Sequence, residues 1–201
     1  MISDKIILTN VQFGKKKTPP ITLVHLASQI KNTPIEIVDS QGISPADQRD
    51  KILNSKADII CISFMTNESK KAYDFTKFLK MKGIMYIIHG GIHPTMFPDA
   101  SINSGADFVI SGEADKIFPQ LINNLRNGQI PEIKIIKPSL PDLSSLSSVD
   151  WSNISLTGYS SYFIRDVQIP LFSSRGCVGR CRCLSSKLSP KLKLSFCNNI
   201  F

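Results

Sequence analysis

Residues 1–127 predict an α/β fold: a doubly wound parallel sheet of five strands with helices on both faces. Three observations predict it. Five short, β-rich apolar runs alternate with segments of helical period. The connections between them are short. The third and fourth runs are apolar throughout rather than alternating, as strands covered on both faces must be.

The first run, 5–11, carries Ile6, Ile7, Leu8 and Val11. In the loop 12–20 that follows, Gly14 and the pair Pro19-Pro20 exclude a helix. Over 22–31, Leu23, Leu26, Ala27 and Ile30 recur at helical spacing. The second strand is 35–38 and ends at Asp39. Ser44-Pro45 starts a helix to about residue 55, a capping hydroxyl followed by proline in the first turn. The third strand, 58–63, contains Cys61, which reads as a buried core thiol. Asn67 caps a helix to about residue 82, with Ala72, Phe75, Phe78 and Leu79 facing inward and Gly83 closing it. The fourth strand is 84–88. A loop over 89–94 comes next, where Gly90, Gly91 and Pro94 argue against a helix, and then a short helix near 96–103. The fifth strand is 107–110, and Gly112-Glu113 opens a last helix that ends before Asn127.

This alternation fits the Rossmann-like, flavodoxin-like strand order 2-1-3-4-5. Ligands of such sheets bind beyond the carboxyl ends of the strands, near the switch between strands 1 and 3. Four loops meet there: 12–20, 63–67, 89–95 and 111–113. From residue 128 the pattern changes. Pro131, Pro138 and Pro141, then Ser144, Ser145, Ser147 and Ser148, read as a linker over 128–168. Residues 168–172 read as a strand leading into Ser173-Ser174-Arg175-Gly176-Cys177, and 169–201 form a third, irregular segment.

Composition narrows the function. The 201 residues are 42% hydrophobic, which suits a packed core. The longest apolar run, 59–65, is too short to span a membrane, and the first residues do not read as a secretion signal, so a cytoplasmic location is expected. The net charge of +8 suggests nucleic acid, but its distribution argues against that partner. All 16 acidic residues lie in 1–172, while the last 29 residues carry six Lys or Arg and no acid. The excess belongs to a tail, not to a basic face. The residues name no protein partner.

The loops carry the chemistry. Ser63-Phe64-Met65-Thr66 follows strand 3, and Gly90-Gly91 follows strand 4. Bare backbone at one strand end and a hydroxyl at its neighbour outline a narrow slot for a flat group on a long tail. This pair resembles the nucleotide-tail slot of cobalamin-binding Rossmann-like domains. The wider text is similar to the N-terminal cobalamin-binding domain of the B12-binding radical SAM protein family. It contains Pro19-Pro20 before the first helix, Ile37-Val38-Asp39, and Ala57-Asp58-Ile59-Ile60-Cys61-Ile62-Ser63. Gly90-Gly91-Ile92-His93-Pro94-Thr95 and Gly105-Ala106-Asp107-Phe108-Val109-Ile110-Ser111-Gly112-Glu113 follow in the family's order. The resemblance implies a corrinoid ligand, cobalamin, with Pro19, Pro20, Ser63, Met65, Thr66, Gly90, Gly91, His93, Gly112 and Glu113 around it. One departure is the loop 11–20, which has no histidine to serve as a lower axial ligand. His89 and His93 read as loop polarity and a pocket wall, not as a two-histidine metal site. Asp39 after strand 2 could touch a ribose, but no Gly-x-Gly-x-x-Gly follows strand 1.

Cys177, Cys181, Cys183 and Cys197 crowd the C-terminus, which in a cytoplasmic chain points to metal rather than disulfides. Arg175-Gly176-Cys177-Val178-Gly179-Arg180-Cys181-Arg182-Cys183 resembles the start of a radical SAM core, Cys-x3-Cys-x2-Cys. The resemblance implies a [4Fe-4S] cluster on Cys177, Cys181 and Cys183, with S-adenosylmethionine at its open iron. Here Cys181 and Cys183 are separated by one intervening residue, not two, and 18 residues follow Cys183 where a barrel needs several more βα units. A frameshift or decayed gene near Arg182 is therefore expected, leaving a cobalamin-binding module that does not catalyse alone. Two alternatives stand: a flavodoxin-like regulatory or interaction domain without corrinoid, and a small iron–sulfur protein using the four C-terminal cysteines. A phosphorylated receiver would need an Asp where Ser63 ends strand 3.

Overall fold

The computed structural model of the chain describes residues 5–31, 33–139, 141–160, 167–172, 174–175 and 195–196. In chain order come β1 (Ile6–Asn10), α1 (Ile21–Ser28), β2 (Ile35–Val38), α2 (Pro45–Asn54), β3 (Ile59–Ser63) and α3 (Ser69–Met81). They are followed by β4 (Tyr86–Gly90), α4 (Ile92–Met96), α5 (Pro98–Asn103), β5 (Phe108–Ile110), α6 (Ile117–Arg126) and β6 (Ile135–Ile136). Six parallel strands form one sheet in the order β2-β1-β3-β4-β5-β6. The expected order is present and is extended by one strand. β6 lies in the stretch that read as linker. It is only two residues long, too short for a periodic signal, and backbone bonds to β5 define it: Val109 N donates to Lys134 O and Ser111 N to Ile136 O, each at 2.8 Å.

The two faces of the sheet are two cores, because alternate residues of a strand point to opposite sides. Ile6, Leu8, Ile59, Cys61, Ile88, Phe108 and Ile110 pack against Leu23 and Ala27 of α1 and against Phe118, Leu121, Ile122 and Leu125 of α6. On the other face, Ile7, Ile60, Ile62 and Ile87 pack against Ile52 of α2 and Ala72, Phe75 and Leu79 of α3. Cys61 is buried among the first set, and burial pushes its thiol pKa far up, so it stays protonated. Among the described residues no helix is long and apolar enough to cross a membrane.

The structure corrects several local expectations. β4 runs two residues later than expected and includes Gly90, whose carbonyl accepts from Phe64 N at 3.3 Å. Residues read as a loop hold α4, with Gly91 at its N-cap and Pro94 in its first turn, where the proline lacks only an N–H that has no helical acceptor anyway. Asn67 does not cap α3, whose start carries no side-chain cap; Asn67 lies in a 3-10 turn over Thr66–Glu68, and there the Glu68 carboxylate accepts from Met65 N at 2.9 Å. The last helix begins at Ile117, and a turn occupies 112–116. Residues 167–172 form no strand. Ser174–Arg175 (β7) instead pairs antiparallel with Ser195–Phe196 (β8).

The segment after β6 is fastened to the domain. Leu143 and Tyr159 are buried in it. Gln29 of the α1 C-terminus makes a reciprocal pair with Ser147, donating to its carbonyl at 3.0 Å and accepting from its N–H at 2.9 Å. Tyr159 donates to Asp39 at 2.6 Å.

Candidate functional site

Strand alternation builds the site. Leu8 of β1, Cys61 and Ser63 of β3, Ile88 and Gly90 of β4 and Ile110 of β5 share the face toward α1 and α6. Past the last apolar residues, at the carboxyl ends, they floor a cavity of about 910 Å³, within the range of small-molecule sites. Thr22, Leu23, His25 and Leu26 of α1 form one wall; Ser111, Gly112, Glu113, Ala114, Asp115 and Phe118 form the other. Ile92, Thr95, Met96 and Pro98 ring its upper edge.

The slot between β3 and β4 is open. Ser63 and Gly90 are register partners. A Cβ added to Gly90 would meet no atom within 4 Å, so only the absence of a side chain keeps this part of the floor clear. Gly91 is required for another reason. Its φ is +97°, and a Cβ there would lie 2.9 Å from Ser63 Oγ and 3.0 Å from Phe64 O. Gly112, at φ +131°, turns the chain beneath Pro138 and hydrogen-bonds to Thr95 Oγ1 through its N–H at 3.1 Å. Ser63, Gly90, Gly91, Gly112 and Glu113 thus meet in one cavity.

The other residues expected at the site stand elsewhere. Pro19 and Pro20 set the start of α1, accepting from Ile21 N at 2.8 Å and Leu23 N at 2.9 Å, and lie outside the cavity wall. Met65 is 54% exposed on the turn past β3. His93 is not a pocket wall. It is buried toward α3, with Nε2 2.8 Å from Tyr73 OH and Nδ1 3.2 Å from Thr66 Oγ1. His89 is not loop polarity: it is fully buried in β4, 2.7 Å from Thr76 Oγ1. Asp39 offers no free carboxylate to a ribose, since Asn10, Gln41 and Tyr159 all donate to it. A second cavity, about 530 Å³ at the β2 edge, is lined by that bonded Asp39–Tyr159 pair. Cys177, Cys181, Cys183 and Cys197 lie outside the described residues. Among the described ones no group of three His, Cys, Asp or Glu could hold a metal.

The structure adds a polar cluster that local patterns could not reveal. His25 Nε2 lies 2.7 Å from Asp115 Oδ1, and Arg175 grips the same carboxylate with both terminal nitrogens, at 2.7 and 3.0 Å. Burial would push the Asp115 carboxyl up. Hydrogen bonds from His25 and Arg175 and the charge of Arg175 outweigh it and hold the group well below the usual carboxylate range. Asp115 is therefore an ion that only accepts, which requires His25 to donate from Nε2. These partners are separated by 90 and 60 positions in the chain. The one readable hint was helical spacing, which puts Thr22, His25 and Leu26 on one face of α1.

A family model described as B12 binding domain matches residues 8–122, from β1 into α6. Bacteriochlorophyllide d C-8(2)-methyltransferase of Chlorobaculum tepidum is 24% identical over 148 residues, which cover 73% of this chain and 31% of that protein. An uncharacterized methyltransferase of Synechocystis sp. is 24% identical over 159 residues, covering 74% of this chain and 28% of its own length. The chain spans less than a third of the length of these two curated relatives.

Proposed function

Because the chain belongs to the B12-binding domain family, we propose that the cavity between the sheet, α1 and α6 receives the nucleotide tail of a corrinoid whose macrocycle lies over the carboxyl ends of the strands. The observation that carries this reading is Gly90 opposite Ser63, a floor of bare backbone beside one hydroxyl in an otherwise walled cavity of about 910 Å³. Ser63 offers a hydrogen bond, Gly90 and Gly91 let the tail approach the backbone, and Gly112 and Glu113 close the far wall. Met65 and Thr66 meet the macrocycle from the turn past β3, with His93 steadying Thr66. No histidine stands in the loop 11–20, so that loop supplies no axial ligand. A bound corrinoid supplies a cobalt that carries a methyl group or tunes a radical step.

The finer reading is that this module belongs to a B12-dependent radical SAM protein of the methyltransferase kind. Its support is the Arg175-Gly176-Cys177 text after the domain and the names of the two relatives. On that reading 1–127 binds corrinoid, 128–168 connects, and 169–201 holds the start of the radical core. Anaerobic iron reconstitution tests the cysteines: a broad cluster absorption abolished by Cys177→Ala supports ligation, and no absorption refutes it.

The corrinoid reading is tested with hydroxocobalamin and gel filtration. Corrin absorption is expected to co-elute with the protein and to be lost in Gly90→Leu, whose side chain enters the cavity without backbone strain. Failure of the unmodified chain to retain corrin overturns the reading.

A further inference from the structure

The fourth side of the cavity comes from the chain that leads into the cysteines. Phe172, Ser174 and Arg175 line it together with the strand ends. Phe172 and His25 form a T-shaped ring pair, centroids 6.0 Å apart and planes at 89°. Arg175 lays its guanidinium 5.4 Å from the centre of the Phe172 ring. The same guanidinium reaches Glu113 at 2.6 Å and grips both oxygens of Asp115. An aromatic ring from residue 172 therefore occupies the wall beside His25, latched by an arginine to the two acids of the opposite loop.

Residues 167–172 have no helix or strand of their own, and β7, which carries Arg175, pairs with β8 and not with the six-stranded sheet, so both can leave the cavity without breaking that sheet's backbone ladder. Asp115 keeps a hydrogen-bond donor in His25 when Arg175 leaves, so an open state does not strand a bare buried carboxylate. The aromatic contact that Phe172 makes with His25 is of a kind any planar heteroaromatic ring can make. A nucleotide tail entering the cavity carries such a ring.

Resting on the corrinoid reading of this cavity, we propose that Phe172 and Arg175 form an internal latch that competes with the nucleotide tail, so that tail binding releases the segment running into Cys177. The coupling is reciprocal: whatever pulls that segment away favours tail entry, and whatever holds it down opposes it. Cavity occupancy is thereby communicated to the chain that leads into the cysteines.

The experiment compares cobalamin with cobinamide, the corrinoid lacking the nucleotide tail, on the full chain. Phe172→Ala is expected to tighten cobalamin binding by about tenfold, the worth of one aromatic pair, and to leave cobinamide binding unchanged. Trypsin cleavage after Arg175, read by mass spectrometry, is expected to accelerate with cobalamin and not with cobinamide. In Arg175→Lys, which keeps the cleavage site but loses the two-pronged grip, cleavage is expected to be fast with or without corrinoid. Cobalamin binding that is unchanged or weakened by Phe172→Ala, or cleavage that slows with cobalamin, overturns the latch and leaves the cavity assignment standing. If no variant binds cobalamin, the cavity assignment falls and the latch falls with it.

Discussion

His89 sits one residue before the cavity glycine and faces away from it. Thr76 gives its hydroxyl proton to Ala72 O at 2.8 Å, so its oxygen can only accept from His89 Nε2–H. The ring is neutral: burial first, and then neighbouring His93, lower its pKa to about 3. In the unfolded chain a histidine titrates near 6.5, so below that pH the unfolded state takes up the proton and the folded state does not. Stability is expected to fall as pH drops from about 6.5 toward 3, by up to about 1.4 kcal/mol per unit for this one proton. His93, lowered by burial, adds to the same trend. The Asp115 carboxyl is also depressed, but its contribution is present above the ordinary carboxylate pKa and is lost only in stronger acid. Urea unfolding between pH 4.5 and 7 separates these windows, and His89→Gln is expected to flatten the slope there. The same scale decides the two glycines. Gly90→Leu should fold and fill the cavity, whereas any side chain at Gly91 meets Ser63 and the Phe64 backbone and should destabilise the chain itself.

Elements whose signals are local were legible. Ser44-Pro45 marked α2 because capping needs only adjacent residues. Ser44 Oγ accepts from Asp47 N at 3.1 Å, and the Asp47 carboxylate accepts from Ser44 N at 3.2 Å. Ser44→Ala should lower stability by about 1 kcal/mol in thermal or urea unfolding, without altering corrinoid retention, since α2 does not touch the larger cavity. β2 and β3 were readable from their apolar runs. α4 and β6 were not. Gly91 and Pro94 carry breaker signals that the first turn of a helix tolerates, and β6 is too short to show a period. Its two residues are strand only because β5 offers an unpaired edge.

For the whole molecule, ligand binding and folding are linked. A corrinoid that binds only the folded chain should raise its stability by about 2.7 kcal/mol at a hundred times its Kd. Thermal unfolding with hydroxocobalamin should therefore show a rise that Gly90→Leu lacks. The sequence by itself determined the parallel α/β architecture and the central strand order, because apolar periodicity, caps and short strand-end motifs are local properties of the chain, and its resemblance pointed to the B12-binding family. It also led to Ser63, Gly90, Gly91, Gly112 and Glu113, which cluster around one cavity. Only the tertiary structure decided that His93 turns toward Tyr73, that β6 closes the sheet, and that His25, Asp115, Phe172 and Arg175 meet at the cavity wall. Those contacts join residues 20 to 147 positions apart. No local period encodes them; they exist because packing helices on both faces of a twisted sheet brings distant side chains to the same strand ends.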